Sequence, residues 1–181
     1  MVINEKAMLN RIKEAYKTGG YTIAVNNFRH IIIGGAWAVE IDSKNLPRDV
    51  IGLLAVHMGY LPVSGEAHKI TKTKGGPYVQ DMIYEDAMSI VESMTGHPVA
   101  VNITKTTLTL EGCNVWQQNI GTAVHLIRPD LEELFRKKED VRLAGHTFQS
   151  TGEISRAWIM EALVDPEDAK MRCLSGIRWT A

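Results

Sequence analysis

The amino-acid sequence predicts an α+β fold of antiparallel β-meanders, with helices packed on one face of the sheet. Strand-like segments at 21–25, 29–33 and 36–41 are separated only by turn residues, and such short connections allow antiparallel pairing but not a parallel crossover. Stretches with apolar residues at three- and four-residue steps, typical of amphipathic helices, lie before and after them. The 181 residues, 45% of them apolar, suffice for one domain with a buried core.

The first half of the chain contains a helix, the first meander and a second helix. Residues 5–17 carry the helical pattern of apolar positions, and Asn4 can cap this helix. The second helix begins at Pro47, which suits a first helical turn, and Gly59 is a typical residue for its C-terminal cap.

The second half repeats this alternation of helices and strands. The sequence predicts a hairpin with strands at 69–73 and 78–82, a helix ending near Thr95, strands near 99–103, 107–110, 115–118 and 122–127, a helix from Pro129, a strand over 141–148, a helix over 150–163 and a final strand over 173–179. The helix from Pro129 has acidic residues in its first turn and basic residues in its last, which complements the helix dipole. Ser150 and Glu153 have the spacing of a capping box, which opens the helix over 150–163.

The two halves align when the chain is shifted by 77 residues, so that Gly19 falls on Gly96. A duplication would make the domain pseudo-symmetric, whereas the alternative is that a helix, a meander and a helix recur by chance in an α+β chain. Repeated helix-and-sheet units are similar in architecture to those of sliding-clamp subunits, although no motif is shared. The predicted organisation is a single domain, 1–181, with half-units 4–62 and 82–148 and a C-terminal helix and strand, 150–181.

Charge is divided unevenly between the halves. The net charge is −1, but residues 1–80 carry ten basic and six acidic side chains, whereas residues 81–181 carry ten and fifteen. This division could bring a basic face to an acidic partner, or the basic end of one subunit to the acidic end of another. The alternative is ordinary variation in charge placement, since neither half contains a block of five or six like charges.

No segment predicts a membrane span or an export signal. The longest apolar-rich run, 50–58, is about half of the ~20 residues that a bilayer requires, and the N-terminus lacks a basic-then-apolar pattern. Cys113 and Cys173 have neither the number nor the spacing of a disulfide framework or a zinc site. We therefore expect a cytoplasmic protein.

No arrangement of residues predicts catalysis, a metal site or a cofactor. The six histidines form none of the usual metal-binding spacings, and neither a nucleophile elbow nor a phosphate-binding loop is present. Glu40, Asp42 and Lys44 have the acid-x-lysine spacing of metal-dependent nucleases, but a solvated strand end explains them better because no suitable further acid precedes them. His57, on the apolar face of its helix, is expected to be a hydrogen-bonded core residue. The acid pair Glu132-Glu133 is expected on a solvated surface.

The stretch from Lys69 to Tyr78 is the strongest candidate for a binding surface. Strand alternation places Lys72 and Lys74 on one side of the predicted hairpin and two threonines on the other. Lysines beside a glycine turn with exposed amides and an aromatic ring could contact phosphates. The alternative is an edge hairpin that lysine protects from aggregation. The predicted binding residues are Lys69, Lys72, Lys74, Gly75, Gly76, Tyr78, Arg29 and Arg48.

These observations favour a non-enzymatic binding protein that acts through a protein–protein or oligomer interface. A small accessory or inhibitor protein of a phage or mobile element fits this hypothesis. A hydrolase acting on a phosphate-containing substrate is one alternative, and it requires at least two of these side chains to converge in a pocket: His68, His125, His146, Glu40 and Asp42. A nucleic-acid accessory protein is the other, although the chain lacks a basic net charge.

Overall fold

The computed structural model describes residues 1–95, 100–121 and 123–162. These residues form the helices α1 (Glu5–Thr18), α2 (Arg48–Met58), α3 (Tyr84–Thr95) and α4 (Pro129–Glu132). They also form the strands β1 (Tyr21–Asn26), β2 (Arg29–Ile33), β3 (Trp37–Asp42), β4 (Ala67–Thr73), β5 (Gly76–Met82), β6 (Ala100–Leu110), β7 (Cys113–Gln118), β8 (Val124–Ile127), β9 (Arg142–Ala144), β10 (Thr147–Thr151) and β11 (Ser155–Met160). The predicted final strand over 173–179 lies outside the described residues.

All of these strands belong to one sheet in which every neighbouring pair is antiparallel. The order across the sheet is β5-β4-β1-β2-β3-β11-β10-β9-β6-β7-β8. β11 lies at the centre of this order and joins the five strands from β5 to β3 to the five strands from β10 to β8. It pairs with β3 on one side and with β10 on the other. The predicted α+β fold is therefore confirmed, and β5 and β8 are the outermost strands of the described sheet.

The helices α1 and α2 cover one face of the sheet. The side chain of Asn4 accepts a hydrogen bond from a first-turn N–H (3.3 Å) and caps α1 as predicted. Helical spacing places Met8 and Ile12 of α1 and Leu54 of α2 in one buried core with side chains of the sheet. Each of these buried side chains contributes roughly 1.5–3 kcal/mol to folding.

The helix α3 packs against the opposite face of the sheet. The sequence predicts helices on one face only, so the second covered face is a difference from the prediction. Ile32 of β2 lies in the core under α1 and α2, whereas its neighbours in β2 face α3, so β2 is buried on both faces. This explains why β2 ends in three consecutive isoleucines instead of alternating apolar and polar residues. The buried cluster under α3 consists of Ile31, Ile33, Ala38, Val91, Met94 and Trp158.

The predicted helix over 150–163 is wrong, because the described part of this segment is extended. Ser150 lies in β10 and caps no helix. Ala157, Trp158 and Ile159 are all buried, since β11 lies between β3 and β10 with a core on each face. Pairing on both sides of β11 thus overrides the local helical pattern.

Two further strand predictions differ from the structure in detail. The segment 141–148 forms two short strands, β9 and β10, because Gly145 adopts a positive φ of 58° in the turn between them. The described part of the segment 99–103, which begins at Ala100, and the segment 107–110 belong to the single long strand β6, whose pairing with β7 changes register midway. The division into half-units 4–62 and 82–148 stays a prediction.

The helix predicted from Pro129 is only one turn long, and Glu132, expected on a solvated surface, is completely buried. Its carboxylate accepts hydrogen bonds from Lys105 (2.7 Å), Lys138 and Asn114. Burial raises the pKa of the Glu132 carboxyl, but these hydrogen bonds outweigh that effect and hold the pKa below its usual value. The buried carboxylate therefore fastens α4 to β6, β7 and the following turn.

Candidate binding surface on the outer hairpin

The predicted lysine hairpin is formed by β4 and β5, which pair along their full length of seven residues each. Only Lys74 and Gly75 lie between the closing pair, Thr73 and Gly76. Gly76 has a φ of 117°, a left-handed conformation that favours glycine, and its carbonyl accepts a hydrogen bond from the Thr73 hydroxyl (2.8 Å). The structure thus places six of the eight predicted binding residues on one hairpin.

The three lysines surround this hairpin instead of lining one of its faces. Lys72 shares its face of β4 with Ile70, which is buried in the core under α1 and α2. Lys69 lies on the other face, as does Tyr78 of β5, whose side chain is 55% exposed. Lys74 lies in the turn. All three lysines are exposed, and none makes an ion pair within the described part of the chain. Their positive charge is therefore available to an approaching group.

β5 leaves one side of its backbone unpaired in the described sheet. In β1, both backbone groups of Val25 point toward the β4 side of the strand. The N–H of Val25 donates to the carbonyl of Glu66 (3.0 Å), and its carbonyl accepts from the N–H of Gly65 (2.8 Å). Alternate residues of a strand point to alternate sides, and the pairings of β1 with β4 and of β4 with β5 carry this alternation across the sheet. The outward-facing residues of β5 are therefore Pro77, Val79 and Asp81. Because proline has no N–H, the free donors of this edge are the amides of Val79 and Asp81.

The charge of the edge changes sign along β5. Lys72 and Lys74 lie at the turn end, whereas the opposite end carries Asp81 and then Glu85 and Asp86 in the first turn of α3. The Asp81 side chain is 92% exposed and its carboxylate lies 2.9 Å from Nδ1 of His68. The hydroxyl of Tyr60, a half-exposed residue after α2, lies 3.4 Å from the other ring nitrogen of His68. The β5 edge is thus basic at one end, and acidic and aromatic at the other.

The other two predicted binding residues lie elsewhere. Arg29 opens β2, at the end of β1 that is opposite to the hairpin turn. Its guanidinium bonds Glu40 (3.0 Å) and Asp42 (3.2 Å), and the hydrogen bond and charge of Glu40 raise the pKa of Arg29 above its usual value. Arg29 therefore neutralises the two acids of the acid-x-lysine pattern. Arg48 begins α2 and lines a groove between α1 and α2 together with lysines of α1.

Besides Glu40 and Asp42, which meet at Arg29, two histidines that a hydrolase would need also converge, through a residue that the sequence does not indicate. Nδ1 of His125 lies 3.0 Å from one carboxylate oxygen of Glu161, and Nδ1 of His146 lies 2.8 Å from the other. Nε2 of His125 also lies 3.0 Å from the Gln118 amide. The sequence does not indicate Glu161, because this residue lies in the segment for which the sequence predicts a helix. Within 1–95, 100–121 and 123–162, no three His, Cys, Asp or Glu residues are arranged to hold a metal ion.

His57 is a core residue, as predicted. Its Nδ1 lies 2.9 Å from the hydroxyl of Tyr21, and its ring stacks on Tyr16 with a centroid distance of 3.9 Å. Burial lowers the pKa of His57 and raises that of Tyr21. The hydrogen bond and stacking explain a histidine at this position without a role in chemistry.

None of the helices in the described ranges is long and apolar enough to span a bilayer.

The similarity of this chain to known proteins consists of weak matches to solved structures. No family model and no curated protein matches it. Among solved structures, the β subunit of DNA polymerase from Streptococcus pyogenes is 9% identical, with a TM-score of 0.36 over 92% of this chain and 66% of that one. The DNA polymerase III β chain of Streptococcus pneumoniae is 11% identical, with a TM-score of 0.37 over 93% and 66%. A putative β subunit from Eubacterium rectale is 6% identical, with a TM-score of 0.38 over 93% and 67%. The chain thus spans about two thirds of these proteins, and the similarity is too low to transfer a residue or a role.

Proposed function

We propose that this protein acts by binding, as an accessory or inhibitory component that contacts a protein through the β4–β5 hairpin. The observation that supports this proposal is the outer edge of β5, whose backbone is unpaired within the described part of the chain and which lies beside three exposed lysines of β4 and the turn. Open edges of this length attract other strands, so proteins normally cover or guard them. A charged and partly aromatic surface that no described strand pairs with is suited to contact with another protein.

The test compares two triple charge reversals in a pull-down from the native host. The first variant is Lys69→Glu, Lys72→Glu and Lys74→Glu on the hairpin. The matched control is Lys6→Glu, Lys13→Glu and Lys17→Glu on the exposed side of α1, which changes the net charge equally. We expect the hairpin variant to lose its bound protein at least tenfold more than the control, at an almost unchanged Tm, because exposed substitutions shift stability by only about 0.5 kcal/mol. Equal retention by both variants would remove the proposal.

A nucleic-acid accessory role has one observation in its favour. Lys6, Asn10, Lys13 and Lys17 recur at helical spacing on the exposed side of α1, beside the groove that Arg48 lines. Such a stripe could contact phosphates. Binding of a labelled duplex at low salt, lost in the α1 variant and steeply weakened by added salt, would support this second role. Absence of binding at low salt would exclude it.

A further inference from the structure

We infer that the β5 edge binds the β5 edge of a second copy of this chain, forming a two-fold symmetric dimer in which the two sheets continue into each other. This inference rests on the proposed function and identifies the partner. It follows from three properties of the edge: its backbone pattern, its charge and its exposed side chains.

The backbone of β5 is complementary to itself in the antiparallel direction. If the two-fold axis passes beside Val79, the two Val79 residues face each other and exchange both of their outward hydrogen bonds. Asp81 of each copy then lies opposite Pro77 of the other and donates its N–H to the Pro77 carbonyl. Proline removes one donor from each copy, so four hydrogen bonds join the two strands. The pairing in β4 and β5 already holds this edge extended, so little conformational freedom is lost on association.

Charge selects this arrangement. Two antiparallel copies of β5 bring the basic end of each edge beside the acidic end of the other. Lys72 is paired with Pro77 in the hairpin, so it lies on the same face as the Asp81 of the second copy, one strand further away. Lys74, in the turn, comes beside the start of the second copy's α3, where Glu85 and Asp86 lie. A parallel arrangement would place like charges together.

The exposed apolar side chains near this edge gain partners in the same arrangement. Tyr78 faces Gln80 of the second copy across the axis, at a distance where cross-strand side chains pack. Ile83, which follows β5 and is 65% exposed, comes beside the second copy's turn. In β8, the other outer strand, the outward carbonyl of Leu126 already accepts a hydrogen bond from the N–H of Ala162 (2.9 Å).

A charge-swap experiment tests this dimer in the full-length protein. One variant carries Lys72→Glu and Lys74→Glu, and the other carries Asp81→Lys and Glu85→Lys. In each variant alone, the dimer would place like charges together, so sedimentation equilibrium is expected to show a dissociation constant raised at least about tenfold over wild type. In an equimolar mixture, every lysine again faces a carboxylate, so a mixed dimer is expected. Two monomeric variants that stay monomeric when mixed would overturn the inference.

Backbone variants test the register by a readout that charge alone would not move. Val79→Pro removes both central donors without removing a bond to β4, and should weaken the dimer about tenfold or more. Pro77→Ala restores an outward donor in each copy and should tighten the dimer about threefold to tenfold. If Val79→Pro and Pro77→Ala changed the dissociation constant of the dimer in the same direction, the proposed pairing would be contradicted.

Amide exchange in the wild-type protein gives the same answer without a variant that could misfold. The amides of Val79 and Asp81 should become protected as the protein concentration rises through the dissociation constant, whereas unchanged exchange would overturn the inference. A monomeric wild type that loses a host protein in the lysine variant would overturn the dimer and leave the proposed function standing. A monomeric wild type whose lysine variant keeps its host protein would overturn both the dimer and the proposed function.

Discussion

The two outermost strands of the described sheet, β8 and β5, differ in what lies on their outer sides. β8 is covered by the chain itself: Ala162 bonds its outer backbone, and Glu161 lies against one histidine on β8 and another on the β9–β10 turn. β5 pairs with no described strand on its outer side, and its hairpin carries an outward-facing proline, Pro77, and three exposed lysines. A strand closed by its own chain serves the fold, whereas a strand left open with patterned charge is available for binding.

The largest expected effect on stability comes from removing the buried charge of Glu132, which lies beside β6 and β7. Glu132→Gln leaves Lys105 and Lys138 without their carboxylate, and both lysines are partly exposed, so we expect a loss of about 2–3 kcal/mol in the free energy of unfolding. Urea denaturation measures this loss. The exposed neighbour substitution Glu133→Gln is the matched control and should change stability by less than about 0.5 kcal/mol.

The same carboxylate makes a predictable contribution to the pH dependence of stability. The pKa of Glu132 is lowered in the folded protein, so the unfolded state binds more protons as the pH falls. Its stabilising contribution is complete above the unfolded pKa of about 4.3 and is lost as the pH falls through the lower folded pKa. The gap between wild type and Glu132→Gln should therefore narrow in acid. A gap that is constant between pH 7 and pH 3 would contradict the role of the charge.

A smaller effect is expected from opening the covered edge. Glu161→Gln removes the negative charge between His125 and His146, and these partly exposed contacts should be worth about 1–2 kcal/mol together. The amide of Ala162 should then exchange roughly tenfold faster, while amides of β4 keep their rates. Uniform acceleration across the sheet would show that Glu161 stabilises the whole fold and not the β8 edge.

The sequence predicts one of these edges well and the other poorly, for a physical reason. The hairpin at β4 and β5 is specified locally, by alternating residues on each side of a glycine turn, so its lysines and tyrosine could be placed in advance. The cover over β8 depends on β11, which becomes a strand only because two distant strands pair with it. No local pattern therefore indicates Glu161 or a strand at Trp158. The burial of Glu132 likewise depends on side chains of β6 and β7 that are distant in the sequence.

The same contrast explains which chemistry could be anticipated. His57 lies on a helix whose apolar face is visible from residue spacing, so its burial could be predicted. The ion pairs of Arg29 join β2 to β3 across the sheet, and their effect on the suspected nuclease acids appears only once the register is known. Local patterns thus indicate elements and single surfaces, while pairings between distant segments decide which charges remain free.

The smallest expected effect on stability tests whether the β5 edge is as open as its register indicates. Pro77→Ala should cost no more than about 1 kcal/mol in dilute protein, because the residue faces outward and the only loss is the rigidity of proline in the unfolded chain. Gln80→Pro changes a residue whose N–H points inward, toward β4, and should cost about 2 kcal/mol, since proline cannot replace that hydrogen bond. Equilibrium unfolding below the dissociation constant of any dimer measures both. Equal costs would mean that both sides of β5 are occupied, and the difference between the two edges of the sheet would disappear.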